Sequence, residues 1–118
     1  MDEAHKQAVV DFLKEYKHIA TTKRKIDVIP RKENRDALIE LGLTERNRED
    51  EILSLSLQDF CNGPEADRDR AGVIWEFGKE INGKEVYIKL KIAETSAGKI
   101  AKCLSFHEAR FPQCYPCK

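Results

Sequence analysis

No apolar run in this chain approaches the ~20 residues that carry a helix across a bilayer, so a membrane-spanning helix is excluded. The first residues, MDEAHKQ, lack the basic and apolar segments of a signal peptide. A cytoplasmic address is therefore expected, and with it reduced thiols at the four cysteines. Internal repeats and low-complexity tracts are absent, which sets aside repeat architectures. Net charge is missing too: 21 Lys and Arg balance 21 Asp and Glu, so no global field draws the chain to a polyanion. True loop is also scarce. Only residues 61–71, CNGPEADRDRA, combine glycine, proline and mixed charge without periodicity.

What is present fits one domain, residues 1–118, with a single modest core. Hydrophobic residues make up 41%, enough to fold it, and 36% charged residues imply a densely charged surface. The charge is unevenly placed. From Ala71 onward eight Lys and Arg face five Glu, a local +3, and the first 70 residues carry the compensating −3. This asymmetry permits a basic face.

Val9, Phe12, Leu13 and Tyr16 recur at helical spacing and predict a helix over residues 3–18. Thr21 to Lys25 reads as a basic break, and Lys25 to Pro30 as a short strand ended by proline. A second helix opens at Glu33 or Asn34 and closes at Leu41, with Gly42 as its C-cap. Thr44 caps a third helix, TERNREDEIL. Leu53 to Leu57 alternates as a strand or an extended entry into the turn Gln58-Asp59-Phe60. Val73 to Ile92 then reads as a hairpin closed by Asn82-Gly83, the pair that favours a type I′ turn. Its second strand alternates, with Val86, Ile88, Leu90 and Ile92 on one face and Tyr87, Lys89 and Lys91 on the other. A last strand from Ile100 to His107 follows Thr95 to Gly98. Helices first and a meander after predict an α+β domain, N-terminal helices packed on a small antiparallel sheet. Val86, Ile88, Leu90, Ile100 and Leu104 are its expected core.

The opposite sheet face is the candidate ligand surface. Cleaving RNA without a metal requires a base for the 2′-OH, positive charge on the phosphate and an acid for the leaving 5′-oxygen. His107 is a natural acid or base, since imidazole titrates near neutrality. Lys89 and Arg110 can hold a phosphate, and Tyr87 can donate a hydrogen bond or stack on a base. Lys79 and Lys91 extend the basic set. The same residues also suit an ordinary solvated face. His5 and His18 read as surface residues of the first helix. Cys114-Tyr-Pro-Cys117 has redox spacing, yet only Lys118 follows, so no helix N-terminus lowers the thiol pKa. Cys103 and His107 on a strand lie ~13 Å apart, too far to share a zinc ion with that tail. Neither a metal nor a cofactor is expected.

Leu41-Gly42-Leu43, Leu55-Ser56-x-x-Asp59-Phe60, Ile74-Trp75, Gly83 with Val86-Tyr87-Ile88-Lys89, and Ser105-Phe106-His107 follow one another in an order that resembles the motility quorum-sensing regulator (MqsR) family. Members of that family are toxins of type II toxin–antitoxin systems. The resemblance implies a RelE-like fold and an mRNA endoribonuclease held inactive by a cognate antitoxin. It carries Tyr87, Lys89 and Trp75 into the site directly. Asn62, Glu76 and His107 stand where the family places lysine, glutamine and lysine. The expected activity is thus metal-independent cleavage of mRNA, with His107, Tyr87 and Lys89 catalytic and Arg110, Lys91, Lys79 and Trp75 binding RNA. A non-catalytic RNA- or ribosome-binding module and a protein-interaction domain are the alternatives.

Overall fold

The apolar stripe of the first segment continues beyond Tyr16 into Ile19 and Ala20, and the helix continues with it. In the computed structural model, which describes residues 1–118, α1 spans Glu3–Lys23 rather than ending near residue 18. Asp2 caps its start through a bond from the His5 amide. Thr21 bonds back to the Lys17 carbonyl, and Arg24 ends the helix in the left-handed region at φ 52°. A two-residue strand follows, β1 (Asp27–Val28), then α2 (Lys32–Leu41), closed by Gly42 at φ 69°. Next comes α3 (Glu45–Leu53), opened by reciprocal bonds between Thr44 and Asn47.

Leu53 to Leu57 does not form a strand. It leaves α3 and enters a 3₁₀ turn at Leu57–Asp59, which sinks Leu55 into the core. The expected loop at 61–71 is mostly strand instead: β2 (Phe60–Ala66) pairs with β3 (Val73–Ile81). Its periodicity is hidden because the register slips on both sides of Asn62, and Pro64 follows a cis bond from Gly63. An edge strand tolerates that proline because its outward side has no partner. β4 (Lys84–Thr95) and β5 (Gly98–Glu108) complete the meander. The expected turn holds, with Asn82 at φ 51° and Gly83 at φ 82°.

The sheet order is β1-β5-β4-β3-β2, antiparallel except where β1 runs parallel to β5. The domain is therefore α+β with a mixed five-stranded sheet. The helices cover one face. There Phe12 stacks on Trp75 with ring centroids 4.8 Å apart, above Phe77, Val86, Ile88 and Leu90. Each such fully buried side chain contributes about 1.5–3 kcal/mol.

Two expected core residues are displaced. A bulge in β5 pairs Lys89 with Ser105 but Leu90 with Cys103, leaving Leu104 as the extra residue. Ala101, Cys103 and Phe106 consequently face the helices, while Ile100 and Leu104 do not join the buried core. Asn34 of α2 sustains the bulge. It is 1% exposed, donates to the Ile29 and Leu104 carbonyls, and accepts from the Phe106 amide. No helix is long and apolar enough to cross a membrane.

Candidate functional site

The hairpin register decides which side chains share the uncovered face. Gly78 lies opposite Tyr87, and Tyr87 opposite His107; Glu76 lies opposite Lys89, and Lys89 opposite Ser105. Trp75 and Phe77 point to the helices, so Glu76 between them points outward. The Tyr87 and His107 rings meet at 5.6 Å with a 45° tilt. His107 donates from Nδ1 to the Glu108 carbonyl at 3.0 Å, which leaves Nε2 for a ligand. Burial and the neighbouring Glu76 carboxylate hold the Tyr87 pKa well above its ordinary value. Its phenol is therefore a hydrogen-bond donor and stays un-ionised.

These groups line a depression of about 460 Å³ with Arg31, Ser105 and Arg110. Residues 110–113 form one wall. That wall is anchored by Glu85: its backbone carbonyl accepts from the Ala109 amide, and its side chain accepts from the Gln113 amide and the Tyr115 hydroxyl. Tyr115 passes so close to Gly78 that a Cβ there would stand 2.6 Å from its hydroxyl. A side chain at residue 78 would have to displace Tyr115 from this crossing.

The seven residues expected from sequence separate accordingly. His107, Tyr87 and Arg110 share the depression. Lys89 lines an adjoining one and forms no ion pair. Lys91 is on the expected face but only 4% exposed; its Nζ donates to Asp67 at 2.6 Å and to the Ala71 carbonyl at 2.7 Å. It fixes a loop and does not present a free cation. Lys79 faces the helices and ties β3 to α3 through Ser54 at 2.7 Å and Glu51 at 3.5 Å. Trp75 is 7% exposed and belongs to the core.

Glu76, Arg31 and Ser105 complete the set, and none of them is among the seven. The position of Glu76 between Trp75 and Phe77 is the signal that could have found it. Arg31 gives no local signal, because only the docking of α2 beside β5 brings it near. His5 is not a simple surface residue either: its Nε2 donates to the Gly63 carbonyl at 2.6 Å, edge-on to Phe60. The cysteines stay apart in role. Cys103 is buried on the helix side while His107 faces outward, and no three His, Cys, Asp or Glu side chains converge as a metal-binding group. Burial pushes the Cys61 and Cys103 thiols up to about 12. No known protein family, curated protein or solved structure matches this chain.

Proposed function

We propose that this protein is an endoribonuclease that cuts mRNA by metal-independent transphosphorylation, as an MqsR-like toxin of a type II system would. The reading rests on one observation: Glu76, Tyr87, His107, Arg31 and Arg110 line a single depression. The un-ionised Tyr87 cannot serve as base, so a second proton acceptor is needed beside His107. Glu76 is that group. It and His107 stand on the strands either side of β4 and two residues apart along them, about 12 Å apart between backbones, which leaves space for a phosphodiester between their side chains.

In the proposed reaction the Glu76 carboxylate takes the 2′-OH proton as the 2′-oxygen attacks phosphorus. The P–O5′ bond breaks, and protonated His107 gives its Nε2 proton to the departing 5′-oxygen. The products are a 2′,3′-cyclic phosphate and a 5′-hydroxyl. Tyr87 donates to a phosphate oxygen or stacks on the adjoining base, while Arg31 and Arg110 stabilise charge on the phosphate. Lys89 lies one step along the strand, where it opposes Glu76 and binds the next phosphate. Cytoplasmic mRNA is the proposed substrate, and a cognate antitoxin the proposed protein partner.

Purified protein should cut a long single-stranded RNA in EDTA and leave cyclic phosphate ends. His107→Ala and Glu76→Gln should each slow cleavage by about 10²–10⁴-fold, the usual worth of general acid–base catalysis. Full activity in His107→Ala removes the assignment. Salt-sensitive binding without any cleavage by the native protein would favour a non-catalytic RNA module instead.

A further inference from the structure

A second depression, of about 490 Å³, continues from the first along the same sheet face and shares Arg31 and Glu76 with it. Ile74 and Leu104 contribute apolar surface, and Arg68, Arg70 and Lys89 supply cations. Neither these three nor Arg31 enters an ion pair. With Lys91 and Lys102 the lining holds six cations against four carboxylates, Glu65, Asp67, Asp69 and Glu76; Asp67 is paired with Lys91, and Lys102 with Asp27 of β1. Positive charge is thus in local excess on a chain whose net charge is zero.

The loop carrying Arg68 and Arg70 is not left to wander. Asp67 accepts from the Asp69 and Arg70 amides while it grips Lys91. Gly72 lies so near the Lys91 stem that a Cβ there would stand 3.2 Å from Cε. A strand lysine therefore fixes the loop whose two arginines border the groove.

We propose that this second depression is a subsite for the backbone phosphates of single-stranded RNA flanking the bond that is cut. The proposal rests on the RNA-cleaving reading of the adjoining depression. From the Tyr87–His107 pair to the Ala93–Ile100 pair is six residues of β4, about 20 Å, a length that accommodates several extended nucleotides. Unpaired cations along an apolar floor suit a strand whose phosphates are held and whose bases lie on the sheet without being read individually.

The test uses the full chain and a short fluorescent 2′-O-methyl RNA, which binds without being cleaved. Removing one cation that neutralises a phosphate lowers the slope of log K against log salt by about 0.7 for single strands. Arg68→Ala/Arg70→Ala should therefore lower the slope by about 1.4 and raise Kd. Lys14→Ala/Arg24→Ala, which removes two exposed cations of α1 and its cap, should leave both unchanged. In cleavage assays the Arg68/Arg70 variant should raise KM for long RNA while sparing kcat and dinucleotide cleavage. An unaltered slope and Kd in that variant, or equal losses in the α1 variant, overturns the subsite. Native protein that binds the 2′-O-methyl RNA with the expected slope yet cuts no unmodified RNA overturns the catalytic reading and leaves the subsite standing.

Discussion

Lys89 and Lys91 sit two residues apart on one face of one strand, and their neighbours give them opposite roles. Opposite Lys89 stand Glu76 and Ser105, neither within ion-pairing distance, so its charge remains available. Lys91 is covered by the loop after β2 and held by Asp67. That pairing lowers the Asp67 pKa to about 2, mainly through the Lys91 hydrogen bond and the Asp69 amide. A depressed carboxyl pKa contributes stability above its unfolded value of about 3.9 and loses it as pH falls through the folded value. The urea midpoint of the native chain should thus exceed that of Asp67→Asn by a constant margin above about pH 5. The margin should close between about pH 4 and about pH 2. A margin that persists unchanged at the acid end of that window would show that the pair contributes nothing through ionisation.

At the scale of elements, the patterns legible in the sequence are those set by short-range interactions. The α1 stripe, the Asn82-Gly83 turn, the Gly42 and Thr44 caps and the β4 alternation all follow from residues within a few positions of one another. The phase of β5 does not, because the bulge at Leu104 shifts its pairing and α2 holds that shift in place from seventy positions away. β2 is hidden for a related reason, since its slipped register and Pro64 erase the alternation that marks a strand. Within the site, the shared outward face of Tyr87 and Lys89 follows from strand alternation, whereas the pairing of Tyr87 with His107 depends on the bulge, and Lys91, Lys79 and Trp75 are claimed by elements remote in sequence. Asn34 is the test of the β5 account. Asn34→Ala would strand the Phe106 amide and weaken the satisfaction of two carbonyls, at a cost of about 1–3 kcal/mol per buried group left unpaired. Chemical denaturation should show a loss of about 3 kcal/mol. A change below about 0.5 kcal/mol, less than one unmade bond costs, would mean the bulge is held by packing alone.

Across the whole molecule, β5 is the strand on which the fold closes. It lies between β1 and β4, packs against α1 and α2, and carries Ala101, Cys103 and Phe106 into the core. A chain stopped at Thr95 would leave β1 without a partner and β4 paired on one side only, with β3. It should show no cooperative unfolding transition by circular dichroism, and a sharp transition would contradict the closing role. The same topology has a consequence in time. A ribosome that adds about 5–20 residues per second releases the phenol of residue 87 well before the imidazole of residue 107. Until the later residue emerges, the growing polypeptide has a carboxylate and a phenol but no acid and no closed interior. With the proposed activity, that delay is a safeguard: the nascent polypeptide stays harmless to the message being translated until the strand that carries residue 107 has emerged and paired.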